Sequence, residues 1–471
     1  MLRTPLAFGL VLLLLLASCT GTKKQETTGK TTATMFTPLE GSVKLMNLDP
    51  GHFHASLVQK TMYESVDPDV YVYAPAGPEV QNYLERIESY NTREEDPTSW
   101  NVQVYGGDDF LEKMLSQKPG NVMVVSGNNA KKTEYILKAV QNGIHVLADK
   151  PMVISPEEFP MLEEAFTTAA DKGVLLYDIM TERHEITTML QKEFSQLTEV
   201  FGELQTGSPE LPSITKESVH HFSKIVSGKP LIRPPWFFDT RQQGEGIVDV
   251  TTHLVDLVQW EAFPGVVLSK EDIAITSSKR WTTALTTDMF KKVTGLDAYP
   301  PYLEKDVDGS ILRVYSNGEI NYTIKGIHAR VSVIWNFQAP EGTGDTHYST
   351  MRGTRCELMI RQGESEGYKP TLYIMPTFID SPDQFTKDLE AGVKKVAEKY
   401  PGIAIREVDE LTWVVDIPDS YKVGHEAHFG QVTEQFLGYL KEGMLPEWEI
   451  PNMIVKYYTT TEGMKQAFDM K

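Results

Sequence analysis

Cysteine is nearly absent from this 471-residue chain: Cys19 and Cys356 are the only two. A disulfide framework is therefore excluded as the source of stability. Positive charge is also scarce, with 45 Lys and Arg against 65 Asp and Glu, a formal charge of −20. That balance excludes a polybasic surface for nucleic acid or for an anionic membrane. The apolar run Leu10 to Leu16 is far shorter than the roughly 20 residues a membrane-spanning helix needs. What remains is ordinary globular composition, 41% hydrophobic and 10% aromatic, at a length that favours two domains.

The N-terminus reads as an export signal rather than as part of the fold. Met1-Leu2-Arg3 is a short positive segment, followed by the apolar run and then Leu16-Ala17-Ser18-Cys19. That tetrad resembles the bacterial lipobox, which implies cleavage after residue 18 and lipidation of Cys19. The plainer alternative is a secretory signal with an incidental cysteine. Residues 19–38, polar and rich in Lys and Thr, read as a flexible tether. The expected location is the cell envelope, periplasm or outer membrane, with the lipid as the sole membrane attachment.

From Val43 to Tyr177 short apolar runs alternate with helix-like stretches, the rhythm of a parallel βαβ sheet. Strands are predicted at Val43–Leu48, Asp69–Tyr73, Asn121–Ser126, Ile144–Ala148 and Val174–Tyr177, with helices over Ala130–Gln141 and Pro156–Ala170. Beyond Glu182 the character changes. A helix is predicted at Glu185–Leu197, a loop-rich stretch at Pro209–Gly246, and another helix at His425–Glu442. Between them Ile311–Tyr315, Glu319–Ile324, Ala329–Phe337 and Glu357–Ile360 look like an antiparallel meander, with Asn317-Gly318 as a hairpin turn. The expected architecture is an α/β Rossmann-like domain over residues 39–182. An α+β domain with a mainly antiparallel sheet follows over residues 183–471.

Two segments carry chemistry. Asn121 to Met152, NVMVVSGNNAKKTEYILKAVQNGIHVLADKPM, is a complete β–α–β run ending in Asp149-Lys150-Pro151. Gly244 to Trp260, GEGIVDVTTHLVDLVQW, spaces Asp249, His253 and Asp256 so that a helix would set all three on one face. A histidine flanked by carboxylates can be oriented and tuned as a proton acceptor near neutral pH. Without further context, the first segment is a surface Lys-Pro turn and the second a capped helix with a satisfied histidine.

Together they resemble the glucose–fructose oxidoreductase, inositol dehydrogenase and rhizopine-catabolism (Gfo/Idh/MocA) superfamily. There an equivalent run leads to Glu-Lys-Pro, and a glycine-rich segment carries an Asp and a His. The resemblance implies NAD or NADP as cofactor. It implies Lys150 polarising a substrate hydroxyl, His253 as general base, and Asp249 binding or orienting substrate. It also implies cofactor contacts from Gly51, His52, Phe53, His54, Asn128, Asn129, Asp149 and Lys150.

The sequence departs from that pattern at the first turn. The family carries G-x-G-x-x-G/A, whereas this chain reads Asp49-Pro50-Gly51-His52-Phe53-His54, keeping only the middle glycine. Asp49 directs a carboxylate towards the place of an anionic pyrophosphate. No acidic ribose-binding residue stands out after the second strand. His52, His54, His425 and His428 are ligand-type residues, but nothing in their spacing makes them converge. We read them as hydrogen-bonding groups and expect no metal. His220, His221 and His347 read as polar loop residues.

Arg183 and His184 follow the last strand of the first domain, where open α/β sheets place ligands. With Trp236 and Asp256 they are the candidate substrate contacts. Arg233 and Phe237 lie close to Trp236, and the stretch His347–Leu358 reads as a structural turn. The expected activity is oxidation of a sugar or glycoside. Two alternatives stand beside it: an NAD-dependent glycosidase acting by transient oxidation and elimination, and a glycan-binding lipoprotein without turnover. The second-domain sheet is the candidate surface for a homo-oligomer. A small carbohydrate is the expected partner, and nucleic acid is not.

Overall fold

The computed structural model describes residues 33–226, 229–377 and 381–469. The signal segment, Cys19 and most of the tether lie outside the described residues. Among those described, no helix is long and apolar enough to cross a membrane.

The first sheet has six strands, all parallel. Their spatial order is Asn101–Gly106, Asp69–Ala74, Leu45–Leu48, Val122–Val125, His145–Asp149, Leu176–Ile179. This is the doubly wound order, with its reversal point between Leu45–Leu48 and Val122–Val125, where such sheets bind ligands. The central strands are buried on both faces, as their predominantly apolar runs require. The edge strand Asn101–Gly106, NVQVYG, is largely exposed and lacks the apolar run that marks its neighbours.

The second sheet is mixed and mostly antiparallel. Its single parallel pairing joins Ile327–Gln338 to Ile214–Ser223, a strand that runs through the stretch read from sequence as loop. The predicted Asn317-Gly318 hairpin does not form. Ile311–Ile324 is one continuous strand, and its turn to Ile327–Gln338 comes at Lys325-Gly326. Asn317 is occupied instead by cross-strand bonds. Its Nδ2 donates to the Trp281 carbonyl and Thr283 Oγ1, and its Oδ1 accepts from Trp335 N. Gly318 lets Ile247 approach so closely that a Cβ there would meet the Ile247 Cβ at 2.5 Å.

That contact seats the glycine-rich segment on the sheet. At Gly246 a Cβ would fall 1.8 Å from the Ser316 carbonyl oxygen, so only glycine permits the approach. The helix Thr251–Ala262 follows and buries Leu254, Val255 and Val258 against Ile320, Tyr322 and Val331 of the sheet. Asp249 thus precedes the helix rather than lying on it.

The change of sheet falls beyond residue 182, but the chain then returns. Phe429, Val432, Phe436, Leu440, Met453 and Tyr457, from the helices His425–Glu442 and Glu449–Asp469, complete the core of the first domain. The last helix also supplies Val455 and Met464 to the core beneath the second sheet. It therefore ties the two sheets together.

Candidate active site

A cleft of about 2070 Å³ opens between the two sheets. Its floor is built from the C-terminal ends of the parallel strands. Asp149 ends its strand, and Lys150 follows into the cleft. Lys150 Nζ donates to Asp249 Oδ1 at 2.5 Å, and Asp249 Oδ2 accepts from Gln243 Nε2 at 3.0 Å. A charge-assisted bond of this kind fixes the ammonium far better than a neutral partner would.

His253 lines the cleft one helical turn beyond Asp249. Its Nδ1 is enclosed without a hydrogen-bond partner among the described residues, which leaves Nε2 to meet a ligand. Burial, then the nearby Lys150 and His425, hold its pKa well below the ordinary imidazole value. It is neutral near pH 7 and can accept a proton. The expected clamp of carboxylates around His253 is not formed, because Asp249 turns to Lys150 and Asp256 turns away.

Asp256 corrects a second expectation. It is buried and accepts from Arg183 through two bonds of 2.7 Å and from Lys456 Nζ at 2.9 Å. Arg183 also donates to Glu449 at 2.8 and 3.1 Å. Arg183 and Asp256, expected to touch substrate, instead form a closed ion network between domain and C-terminal helix, outside the cleft lining. His184 is also absent from the lining. Burial and the Arg183 charge lower its pKa to about 4.

Trp236 is buried too, and its ring lies against the first turn: a Cβ on Gly51 would sit 3.4 Å from Trp236 Cζ2. Its neighbours form the cleft wall. The Arg233 guanidinium lies 4.4 Å from the Phe237 ring and 5.2 Å from the Trp335 ring, and His220 stacks on Trp335 at 5.0 Å. His220 Nδ1 lies 3.0 Å from Asp345, which also pairs with Lys224. His220 and His347 are strand residues that line the cleft, not loop groups.

The remaining cofactor candidates gather at the reversal point. Asn129 Nδ2 donates to the Gln243 carbonyl at 2.7 Å, while its buried Oδ1 has no partner among the described residues. Asn128 is tied to Gln242 at 2.7 Å, off the lining. Asp149 Oδ2 accepts from Ser126 at 2.8 Å and lies 3.0 Å from His54 Nδ1 and 3.6 Å from His52 Nδ1. Phe53 and His52 line the cleft.

Comparison with known proteins decides the family. Residues 190–468 match the family described as "Putative oxidoreductase C terminal domain". Residues 80–178 match "Oxidoreductase family, NAD-binding Rossmann fold". A crystal structure described as a "putative oxidoreductase" from Parabacteroides merdae is 56% identical. It superposes with a TM-score of 0.90, over 93% of this chain and 100% of that one. The chain belongs to the Gfo/Idh/MocA oxidoreductase family.

More distant members share the fold. Levoglucosan dehydrogenase in complex with NADH is 12% identical, with a TM-score of 0.57 over 91% of this chain and 97% of that chain. GenD2 from gentamicin A biosynthesis, in complex with NAD, is 13% identical, with a TM-score of 0.56 over 93% and 97%.

This family member thus carries the NAD-binding Rossmann domain, and the reactive end of its cleft fits a nicotinamide ribose. Among the described residues Asn129 Oδ1 is a buried acceptor without a partner, and both Asn129 and Lys150 line the cleft. The first turn is more self-contained than a glycine-rich one. Gly51 N donates to the Asp49 carbonyl at 2.7 Å and His52 N to the Ser126 carbonyl at 3.2 Å. Burial and Glu79 raise the Asp49 pKa to about 6.

Sequence reasoning missed Glu182, Lys224, Asp345 and Trp335, all in the lining. Burial and Glu185 raise the Glu182 carboxyl to about 7. Only Glu182 had a sequence signal, its place just beyond a parallel strand. Trp335 lies on a strand of the second sheet, and Lys224 and Asp345 directly flank strands of it; no local pattern encodes how that sheet folds over the cleft.

Proposed function

We propose that this oxidoreductase oxidises a ring hydroxyl of a sugar or glycoside at the cell envelope. The observation that carries the reading is the Lys150–Asp249 pair beside His253 at the mouth of the parallel strands. A hydroxyl set between them can have its oxygen held by Lys150 Nζ while His253 Nε2 removes its proton. Asp249 keeps Lys150 in place. Bound NAD or NADP supplies the hydride acceptor, and the protein supplies position, proton acceptor and charge. Asn129 and Lys150 would hold the nicotinamide ribose.

The cation–aromatic wall of Arg233, Phe237 and Trp335 suits the face and hydroxyls of a sugar ring. Two fold neighbours, levoglucosan dehydrogenase and GenD2, carry names that point to saccharide chemistry. Leu16-Ala17-Ser18-Cys19 supports a lipid-anchored, exported enzyme.

The test is to incubate the purified mature chain with NAD or NADP and a panel of glycosides, following reduced nicotinamide and product mass. A product lighter by two hydrogens, formed in step with reduced nicotinamide, is the expected result. Release of the aglycone without net reduction would replace this reading with oxidation and elimination. Glycoside binding with no turnover would replace it with a binding protein.

A further inference from the structure

The group around Asp149 takes no proton or hydride in the reaction above, and it lies among the cofactor candidates at the first turn. His52 and His54 come from the first turn, two residues apart, and Asp149 from the end of a strand across the reversal point. His52 Nδ1, His54 Nδ1 and Asp149 Oδ2 lie within 4.8 Å of one another. The two nitrogen-to-oxygen distances are 3.6 and 3.0 Å. An ion bound at about 2.0–2.1 Å by tetrahedrally arranged ligands separates them by about 3.3 Å, between those two values.

Charge points the same way. Asp149 is 4% exposed, and a buried carboxylate needs a cationic partner. Among the described residues, the groups that reach its side-chain oxygens are the Ser126 hydroxyl and these two imidazoles. Lys150 is engaged by Asp249, and the buried Lys132 ammonium, which donates to the Asp149 backbone carbonyl at 2.9 Å, acts on the carboxylate through its charge without touching it. Both imidazoles present Nδ1 to this carboxylate; His54 Nδ1 is hydrogen-bonded to it at 3.0 Å, and His52 Nδ1 also accepts from His54 N at 3.4 Å, contacts that a bound ion would replace. All three side chains line the cleft, so an ion among them would keep open positions facing it, as catalytic rather than structural sites do.

We propose that His52, His54 and Asp149 form a binding site for a first-row divalent cation, open towards the cleft. The donor set of two imidazoles and one carboxylate suits Zn²⁺ and its neighbours rather than Mg²⁺ or Ca²⁺. His425, whose ring centroid lies 5.6 Å from that of His54, stands at the open side. The site does not depend on the oxidoreductase reading, because its ligands are defined without reference to the hydride-transfer residues.

The test is calorimetric titration of the chelator-stripped, full mature chain with Zn²⁺ alone, with metal content measured after dialysis. One equivalent is expected to bind the native sequence. His52→Ala and His54→Ala should each weaken binding at least tenfold, and His54→Asp, which keeps a ligand, should retain most of it. Co²⁺ loading adds a readout that folding changes do not imitate: visible d–d bands that shift in His54→Asp and vanish in the double alanine variant. Binding by the double variant equal to that of the native chain would overturn the proposal, as would no binding by the native chain.

Discussion

Replacing Arg183 by methionine separates two roles that its place after the last parallel strand leaves open. The structure gives Arg183 four bonds, two to Asp256 at 2.7 Å and two to Glu449 at 2.8 and 3.1 Å, with all three side chains almost wholly buried. Methionine fills much of the volume but removes the charge. Asp256 keeps Lys456, whereas among the described residues the hydrogen bond left to the Glu449 carboxylate is that of the Tyr177 hydroxyl, at 3.4 Å. Breaking a buried pair from one side costs about 3–5 kcal/mol, and that is the expected loss.

The loss also has a pH signature. Burial already raises the Glu449 pKa, and the Arg183 charge opposes that rise. Without Arg183 the folded-state value climbs further above the unfolded one, so the penalty is full above the folded value. It shrinks as pH falls towards the unfolded value of about 4.3. Urea unfolding at pH 8 and pH 5, followed by tryptophan fluorescence, should show the larger deficit at pH 8. KM of the folded variant should stay near native. A native-like unfolding midpoint with a raised KM would refute this account and return Arg183 to the substrate site.

Asp249→Asn removes the charged acceptor that fixes Lys150. With a charge-assisted bond worth about 1.5–3 kcal/mol, kcat should fall about 10- to 100-fold with a smaller change in KM; an unchanged kcat would contradict the Lys150 role. His145→Asn tests buried-imidazole linkage. His145 Nδ1 accepts from Leu175 N at 2.9 Å, and burial lowers its pKa to about 4. The unfolded chain binds the proton first, so the native stability is full above about 6.5 and declines as pH falls towards 4, by roughly 3 kcal/mol. Asparagine keeps an acceptor without titrating, so its unfolding midpoint should vary less over that window; parallel curves would be the contrary result.

The first domain was legible because its strands are buried on both faces and print as apolar runs. The reading failed at its edge, where Asn101–Gly106 is exposed and polar. In the second sheet Ile273–Thr286, IAITSSKRWTTALT, is a 14-residue strand that hides behind polar residues on its open face. Asn317-Gly318 misled because the same dipeptide that suits a turn here serves a bulged strand and a close approach by Ile247. At the site, Lys150, Asp249 and His253, which stand in local motifs, all line the cleft. The partners of Asp256 stand in no such motif, since Arg183 and Lys456 lie 73 and 200 residues away. The convergence of His52, His54 and Asp149 is likewise set by strand order rather than spacing.

The central claim is that His253 takes the proton while Lys150 holds the oxygen of the hydroxyl being oxidised. Hydride transfer to NAD or NADP, followed in native protein and in folded His253→Ala protein, tests it most directly. The account predicts that the alanine variant binds nucleotide normally and transfers hydride at least a hundredfold more slowly, with recovery as pH rises. Native rates in that variant would contradict it.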